Sequence, residues 1–145
     1  MIKHFHVGVK GVILHPADGR VLLMHMHSGH WDLPGGRTEE GELEFETTLL
    51  RELSEELPGI SNVQIGRQFG AVRMPRDLPA KALEPGVDAS ALPGGGIGVI
   101  LVLFDVTATL PDPVRVSDEH ASCSWETRER AAEVFPHAAH FFLSP

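Results

Sequence analysis

The sequence predicts an α/β fold in which strands and helices alternate around a central mixed β-sheet. Three observations support this fold class. Branched apolar segments recur along the chain, residues 44 to 57 have the pattern of an amphipathic helix, and residues 97 to 108 form a long apolar run with β-branched side chains. With 145 residues the chain is long enough to bury one sizeable core, so we expect a single domain over residues 1 to 145.

The strands of this fold are predicted from composition and from the turns between them. Residues 4 to 14 and 20 to 27 are rich in branched and apolar side chains, and the segment Pro-Ala-Asp-Gly at 16 to 19 separates them. This pattern predicts two strands around a turn. Further strands are predicted at residues 63 to 74, 97 to 108 and 122 to 125, and a second helix at 127 to 134.

The helix predicted at residues 44 to 57 has two distinct sides. Its apolar stripe, at helical spacing, consists of Phe45, Leu49, Leu50, Leu53 and Leu57. On another side, Glu52, Glu55 and Glu56 fall at positions i, i+3 and i+4. We therefore expect the helix to bury one face and to offer three carboxylates on another.

Three carboxylates at this spacing are unfavourable without a cation. Each like-charged pair costs roughly 0.2–0.5 kcal/mol, and Glu55 and Glu56 lie in the last turn, where the helix macrodipole is already negative. A bound Mg²⁺ or Mn²⁺ would make the interaction free energy of these carboxylates favourable, because hard divalent cations take oxygen ligands. Pro58 should end the helix near Glu56 or Leu57, which would leave Glu56 at a frayed end that a metal would order.

The charge distribution favours the same chemistry. The net charge is −8, and eight acidic residues fall within residues 39 to 56. No cluster of Lys or Arg compensates for this charge, which argues against a nucleic-acid partner. A polyanionic substrate would be repelled unless cations were bound, so metal dependence is expected on electrostatic grounds.

Cysteine and histidine usage excludes other classes. Cys123 is the single cysteine, so no internal disulfide forms, which fits a reducing cytoplasm; we favour a small buried hydrophobe over a reactive thiol. The sequence has neither a signal-peptide pattern nor an apolar run of membrane-spanning length, so we expect a cytoplasmic protein without a membrane partner. The pairs His4/His6 and His25/His27 each lie on one strand face, but no Cys or Asp completes a zinc spacing.

Two neighbouring segments together resemble the Nudix hydrolase signature. They are the acidic helix and the segment before it, residues 35 to 42, which we call the glycine loop. Gly36 and Glu42 keep the first spacing of the signature, and residues 51 to 56 (Arg-Glu-Leu-Ser-Glu-Glu) keep its metal-binding core. Two one-residue insertions depart from it. Eight residues rather than seven separate Glu42 from Arg51. Two residues, Leu57 and Pro58, precede Gly59, where the family has one residue before its glycine. The first insertion can be absorbed in the loop before the helix, and the second lies after the ligands.

The flanks of the signature also resemble small Nudix chains. Residues 31 to 34 (Trp-Asp-Leu-Pro) precede the glycines, and Glu119 and His120 lie six and five residues before Trp125. The resemblance implies a Nudix-type α/β/α sandwich with a central mixed β-sheet and with the carboxylate helix packed on one face.

The resemblance also implies a site. Its metal, Mg²⁺ with Mn²⁺ as the alternative, would be held by the Gly36 carbonyl and by Glu52, Glu55 and Glu56. Glu52 is then the expected general base, with Glu119 as the alternative, and Arg51 is expected to pair with a helix carboxylate and orient it. Glu42 would hold the loop or a water molecule.

The implied activity is Mg²⁺-dependent cleavage of a phosphoanhydride bond in a nucleoside diphosphate linked to another group, X, with water as the nucleophile. The partner would be a small-molecule nucleotide. A second hypothesis is a catalytically inactive Nudix-fold module that binds a nucleotide, because the two insertions would be able to misplace the ligands. An isoprenoid diphosphate isomerase shares the fold, but the intact core of the signature argues against it. The nucleobase, X, the attacked phosphorus and the oligomeric state stay open.

Substrate-binding residues are expected around a long loop. Residues 75 to 96 contain four prolines and four glycines with little periodicity, which predicts a loop of about 22 residues. Family members often use this connection to shape the substrate pocket, so the cations considered for phosphate contact are Arg73, Arg76 and Lys81. A mobile surface loop is the alternative, and we favour it. Trp31 and Trp125 are considered for base stacking, with a place in the core or at a rim as the alternative.

Overall fold

The computed structural model describes residues 2 to 143, apart from the side chain of Phe69. The strands and helices of this range are β1 (His4–Ile13), β2 (Val21–Met26), β3 (Trp31–Asp32), β4 (Gly35–Arg37), α1 (Phe45–Glu56), β5 (Ser61–Arg73), β6 (Ile97–Thr109), β7 (His120–Glu126), α2 (Arg128–Val134) and α3 (Ala139–Leu143). Short 3₁₀ turns lie at Ala80–Ala82, Ala89–Ala91 and Pro136–Ala138. Among the helices of the described range, none combines the length and the apolarity needed to cross a membrane.

The strands form two sheets. The first is the predicted mixed sheet, with the order β4-β1-β6-β5, in which β1 runs parallel to β6 and the other neighbours are antiparallel. The second sheet, with the order β3-β2-β7, is antiparallel throughout and was not expected from the sequence.

The turn between β1 and β2 is present, but the two strands do not stay paired. The amide of His15 donates to the carbonyl of Arg20 over 2.7 Å. Beyond that turn only one bridge, between Leu14 and Val21, joins them, and each strand continues into a different sheet. The predicted turn between two strands is therefore present, and the two strands continue into different sheets.

Alternate residues of β1 and β2 serve two separate cores, because successive side chains of a strand point to opposite faces. One core, closed by α1, contains Val9, Ile13, Leu22, Met24, Leu49, Leu53, Leu57, Val102, Phe104 and Val106. The other, closed by α2 and α3, contains Val12, Val21, Leu23, Leu33, Leu103, Ala131, Ala132, Ala138 and Phe142. Helices thus cover both sides of the strands, as an α/β/α sandwich requires.

The apolar stripe of α1 is narrower than its sequence pattern indicated. Leu49, Leu53 and Leu57 are fully buried, whereas Phe45 is 36% exposed and Leu50 is 45% exposed. The expectation that Phe45 and Leu50 join the buried stripe is therefore wrong. The buried apolar positions are spaced by four residues, and Leu50 is turned about 100° from Leu49 on the helix.

The end of α1 follows the prediction made from Pro58. Glu56 is the last helical residue, and the amide of Leu57 closes the final turn by donating to the carbonyl of Leu53 over 3.0 Å. Proline then interrupts the helix, because it offers no amide proton. The extra residue of the second insertion therefore lies outside the helix.

Candidate active site

A cleft of about 1590 Å³ opens between α1, the start of β7 and the 75 to 96 segment. Its lining includes the carboxylates of Glu52, Glu56 and Glu119. It also includes the cationic side chains of Lys10, Arg37 and Arg76. The cleft therefore combines acidic groups suited to a cation with basic groups suited to an anion.

Glu56 is a buried carboxyl in this cleft. The residue is only 4% exposed, and its Oε2 accepts a hydrogen bond from the amide of Gly35 over 2.9 Å. Burial raises its pKa to about 8, and the nearby cation of Lys10 and the Gly35 amide counteract that rise only in part. The expectation that Glu56 occupies a frayed helix end is wrong, because its side chain is fixed against the glycine loop.

Lys10 and Asp32 belong to the same region, and neither was singled out from the sequence as a site residue. Lys10 is 7% exposed, and its Nζ lies 3.0 Å from Asp32 Oδ2 and 3.3 Å from the carbonyl oxygen of Gly35. The β1–β4 register places Lys10 opposite Gly35. A single lysine within the apolar residues 7 to 13 of β1 was the available signal, because a buried Lys needs a partner.

Arg51 forms a clasp between the loop and α1. Its Nε donates to Glu42 Oε2 over 2.8 Å and its Nη2 donates to Glu42 Oε1 over 3.0 Å, while its Nη1 lies 2.8 Å from Glu52 Oε1. The hydrogen bonds from Arg51, followed by the amide of Glu39, lower the pKa of Glu42 to about 2. The pKa of Arg51 is raised in turn by the bond to Glu42. Glu52 is thus held in place by a permanently charged neighbour.

Glu55 differs from the other two helix carboxylates. Its side chain is 51% exposed and lies 3.4 Å from the Nη1 of Arg51. It is absent from the residues that line the cleft within the described part of the chain. The predicted role of Glu55 as a metal ligand therefore remains a prediction, with a weaker geometric basis than that of Glu56.

Gly35 and Gly36 are required for two different reasons. Gly35 has a φ of +139°, and a Cβ there would overlap the carbonyl oxygen of Val9. A Cβ on Gly36 would instead overlap the carboxylate of Glu52. The backbone of β4 and the acidic helix can approach this closely only because Gly36 has no side chain.

The segment before β7 reaches the end of α1. The amide of Ser117 donates to the carbonyl of Glu56 over 2.9 Å. One potential ligand atom from each of Glu56, Glu119 and His120 lies within 4.8 Å of the other two. Burial lowers the pKa of His120, so its imidazole is neutral at pH 7 and has a lone pair to offer. Glu119, expected from its position before Trp125, is thus close to the acidic helix.

This donor set fits a divalent cation. It offers carboxylate oxygens from Glu56 and Glu119 within one small space, together with the carboxylate of Glu52 beside the Gly36 backbone. The buried Glu56 carboxyl would ionise readily next to a cation, because the cation removes the cost of burying its charge. Mg²⁺ and Mn²⁺ both accept such oxygen ligands.

The predicted substrate-binding residues lie at different distances from this centre. Arg76 and Trp31 line the cleft. The guanidinium of Arg73 lies over the ring of Phe5, 4.9 Å from its centroid, and Phe5 lines the cleft. Lys81 lies in the Ala80–Ala82 turn and is not among the described residues that line the cleft. These placements leave the binding roles as predictions.

The 75 to 96 segment packs against the rest of the protein. The amide of Leu78 donates to the carbonyl of Ile97 over 2.8 Å, and Arg37 Nη1 donates to the carbonyl of Ala82 over 3.0 Å. Leu83 and Val87 from this segment line the cleft. The segment thus contributes one wall of the candidate site, as the first of the two hypotheses for this loop required.

The other residues considered from the sequence have ordinary surroundings. Cys123 is half-buried against the core, and burial raises the pKa of its thiol. His25 Nε2 lies 2.7 Å from Ser124 Oγ, and His27 Nε2 lies 2.8 Å from the carbonyl of Asp118. Trp125 packs against the core beside the ring of His15.

Comparison with known proteins supports the fold and the class. The MutT protein from Methanosarcina mazei Go1 is 22% identical, with a TM-score of 0.70 and coverage of 98% of this chain and 93% of that one. The E. coli dihydroneopterin triphosphate pyrophosphohydrolase is 18% identical, with a TM-score of 0.69 and coverage of 97% and 98%. A C. elegans Ap4A hydrolase binary complex is 20% identical, with a TM-score of 0.63 and coverage of 94% and 92%. No curated protein sequence matches the chain significantly.

At these identities the solved structures establish the fold alone. The α/β/α arrangement and the mixed sheet predicted from the sequence are thereby confirmed. The family model described as NUDIX domain matches residues 4–143, nearly the whole chain, so the chain belongs to the NUDIX domain family. The predicted enzyme class, Nudix hydrolase, is likewise confirmed by this family membership.

Proposed function

We propose that this chain is a Mg²⁺-dependent hydrolase, with Mn²⁺ as the alternative ion, that cleaves a phosphoanhydride bond in a nucleoside diphosphate linked to another group, X. The observation that carries this proposal is the buried carboxyl of Glu56 beside Glu119 and His120, in a cleft that also presents Arg37 and Arg76. An acidic centre with basic walls suits a metal-neutralised polyphosphate.

The metal would be held by Glu52, Glu55, Glu56 and the Gly36 carbonyl. When bound, the ion supplies charge neutralisation of the diphosphate and a lowered pKa for the attacking water. Of these ligands, Glu52 and Glu56 are already fixed by Arg51 and by the Gly35 amide, respectively. Fixed ligands lower the cost of assembling the site, because less side-chain freedom is lost when the ion binds.

The protein's own groups would then position water and substrate. Glu52 acts as the general base, and the 2.8 Å contact from Arg51 holds its carboxylate in position at the cleft. Glu119 is the alternative base, since it lines the same cleft. Arg51 contributes by orienting Glu52 and does not need to contact the substrate.

Substrate recognition would use the walls of the cleft. Arg76 and Arg37 line the cleft and Arg73 lies over the ring of Phe5 beside it, which supports a role for these cations in binding phosphate oxygens. Trp31 lines the cleft, with the ring of His25 4.1 Å and the guanidinium of Arg130 5.5 Å from its ring centroid. The part of the Trp31 ring that borders the cleft would contact a nucleobase. The partner would thus be a compact small-molecule nucleotide.

The proposal is tested with a substrate panel in ¹⁸O water. The panel contains nucleoside triphosphates, ADP-ribose, dihydroneopterin triphosphate and Ap4A, the last two taken from the names of the structural relatives. We expect turnover of one compact nucleotide with Mg²⁺ or Mn²⁺, ¹⁸O in a single product phosphate, and none in excess chelator. Undiminished turnover in chelator would overturn metal dependence. Nucleotide binding by calorimetry without turnover of any compound would favour the inactive binding module.

Metal should also stabilise the fold. Binding to the folded state alone adds roughly 2.7 kcal/mol at an ion concentration a hundredfold above its dissociation constant. We expect the melting temperature of the chelator-treated protein to rise with Mg²⁺. Glu46→Gln, an exposed change in the first turn of α1, is the matched control and should retain the full rise. An unchanged melting temperature in saturating Mg²⁺ and Mn²⁺ would contradict the prediction.

Two sequence-based expectations accompany the proposal. We place the enzyme in the cytoplasm, because its lone Cys123 is half-buried and forms no internal disulfide. We also keep the prediction of a single domain.

A further inference from the structure

His120 has an unusual environment for a histidine. The residue is only 7% exposed, and its Nδ1 has no hydrogen-bond partner among the described residues. A buried polar atom of this kind destabilises the fold unless a partner satisfies it, because its lost hydration is not replaced. A native protein retains such an atom most readily where a ligand supplies the missing partner.

The backbone fixes this imidazole beside the acidic helix. His120 is the first residue of β7, where it pairs with Met26 of β2, and its amide donates to the carbonyl of Ser117 over 3.2 Å. The amide of Ser117 in turn donates to the carbonyl of Glu56 over 2.9 Å. The imidazole is therefore carried by a strand and two consecutive backbone hydrogen bonds, and it does not depend on a free loop.

His120 also belongs to the compact donor group of the cleft. One of its ring nitrogens and one carboxylate oxygen from each of Glu56 and Glu119 lie within 4.8 Å of one another. The group thus combines an acidic pair with a buried, unsatisfied imidazole, two independent features that both indicate a cation. Its donor set is mixed nitrogen and oxygen, which differs from an all-oxygen site.

We infer that His120 is a nitrogen ligand of the metal in this cleft, and that the site consequently prefers Mn²⁺ to Mg²⁺. The inference rests on the proposed function and specifies its cofactor. Imidazole suits transition ions, whereas Mg²⁺ prefers oxygen ligands and dehydrates reluctantly. Glu56 and Glu119 supply the hard oxygen ligands that Mn²⁺ also accepts.

Nearby histidines are already engaged. His25 Nε2 is paired with Ser124 Oγ at 2.7 Å, and His27 Nε2 is paired with the carbonyl of Asp118 at 2.8 Å. Among the described residues, His120 is the histidine with a ring nitrogen within 4.8 Å of carboxylate oxygens of both Glu56 and Glu119, so the nitrogen ligand of this donor group is assigned to it.

Pulsed electron paramagnetic resonance of the Mn²⁺-loaded protein tests the inference. We expect modulation from a directly bound ¹⁴N in the wild type, changed to the ¹⁵N pattern when the histidines are ¹⁵N-labelled. The nitrogen signal should persist in His4→Ala, which removes an exposed histidine at the start of β1, and should disappear in His120→Ala and in His120→Gln. The glutamine variant preserves volume in the buried position, and circular dichroism verifies its fold.

Calorimetric titrations with Mn²⁺ and Mg²⁺ supply the second readout. Loss of even an outer partner of a metal ligand weakens metal affinity by roughly tenfold or more, so His120→Gln should weaken Mn²⁺ binding at least that much. The affinity for Mg²⁺ should change little, so the ratio of Mn²⁺ to Mg²⁺ affinity should be smaller in the variant than in the wild type. Wild-type protein that binds Mn²⁺ without a nitrogen signal would overturn the role of His120 and leave the proposed hydrolase intact. Wild-type protein that binds neither ion would overturn the proposed function together with this inference.

Discussion

Glu42 and Glu56 are the same residue type at opposite ends of one acidic segment, yet their protonation is shifted in opposite directions. Hydrogen bonds from Arg51 lower the pKa of Glu42 to about 2, whereas burial raises the pKa of Glu56 to about 8. Glu42 has a permanent cationic partner in direct contact. Glu56 accepts one hydrogen bond, from the Gly35 amide, while the nearby Lys10 is bonded to Asp32 and to the Gly35 carbonyl.

The difference distinguishes a carboxylate with a structural role from one that is available to bind an external cation. The charge of Glu42 is neutralised by the protein itself, so the residue is suited to holding the loop against α1. The charge of Glu56 is not neutralised by a direct contact, and its burial is favourable only when a proton or an external cation is present. We therefore expect changes at Glu56 to act mainly on catalysis and changes around Glu42 to act mainly on stability.

The largest expected effect is that of Glu56→Gln on turnover. The amide is nearly isosteric and can still accept from Gly35, but it lacks the charge that holds the ion. Loss of one charge-stabilising group costs about 10²–10³ in rate. Steady-state kinetics with saturating Mg²⁺ measures the loss, circular dichroism verifies the fold, and Glu46→Gln serves as the exposed control. Activity within a few-fold of wild type in a folded variant would show that Glu56 is not part of the machinery.

The pH dependence of stability should have two limbs, one from each carboxyl. Because the folded-state pKa of Glu56 is raised from 4.5 to about 8, its contribution is complete below pH 4.5 and is lost as pH rises through 8. The slope from one group is at most about 1.4 kcal/mol per pH unit. For Glu42, whose pKa is lowered to about 2, stability is present above pH 4.5 and is lost as pH falls toward 2.

Chemical denaturation of the chelator-treated protein between pH 3 and 9 measures both limbs. Glu56→Gln should remove the alkaline limb alone, and Glu42→Gln the acid limb alone. Saturating Mg²⁺ should flatten the alkaline limb, with release of a proton detectable by calorimetry in buffers of different ionisation enthalpy. Identical alkaline profiles for wild type and Glu56→Gln would show that the Glu56 carboxyl titrates normally.

Arg51→Lys should have a smaller effect, because it weakens the contacts with Glu42 and Glu52 but keeps a positive charge between them. Lysine cannot reproduce the forked contact with Glu42 or reach Glu52 at the same time. We expect a loss of about 1–3 kcal/mol in the free energy of unfolding, typical of hydrogen bonds to charged groups, and a lower kcat because Glu52 is less well oriented. The matched control is Arg20→Lys, whose exposed contact with Asp18 in the turn after β1 is worth about 0–1 kcal/mol. Equal losses in the two variants would contradict the role given to Arg51.

Deletion of Pro58 should have the smallest effect on catalysis. The insertion lies beyond Leu57, which already caps α1, while Glu56 is fixed by the amides of Gly35 and Ser117. We expect activity within about threefold of wild type, equivalent to less than 1 kcal/mol in the barrier. An inactive wild type that the deletion does not revive would instead favour the binding module.

The sequence determines the parts of the site that depend on local periodicity. The helix, its end at Pro58 and the close spacing of Glu52, Glu55 and Glu56 all follow from rules that operate within a few residues. The importance of Gly35 and Gly36 was also predicted from the sequence, although the two glycines lie in strand β4 and not in a loop. Membership of the sandwich fold follows from the alternation of these elements.

The parts that depend on tertiary packing were not predictable in this way. Periodicity places Glu56 beside Glu52 and Glu55, but only the position of the β4 backbone makes Glu56 buried and Glu55 exposed. The pairing of Lys10 with Asp32 joins β1 to β3, which belong to different sheets, and no spacing rule relates them. Phe45 and Leu50 matched the apolar pattern, yet they remain 36% and 45% exposed.

The hydrogen bond from the Ser117 amide to the Glu56 carbonyl has a consequence for local unfolding. It joins the end of α1, which packs on the mixed sheet, to the segment that leads into β7 of the antiparallel sheet. We therefore expect opening of the site to be coupled to detachment of β7, because the same hydrogen bond has to break in both. An ion bound there raises the free energy of that opening selectively, so the protein gains rigidity along the seam between its two sheets while the far edge at β5 keeps its own stability.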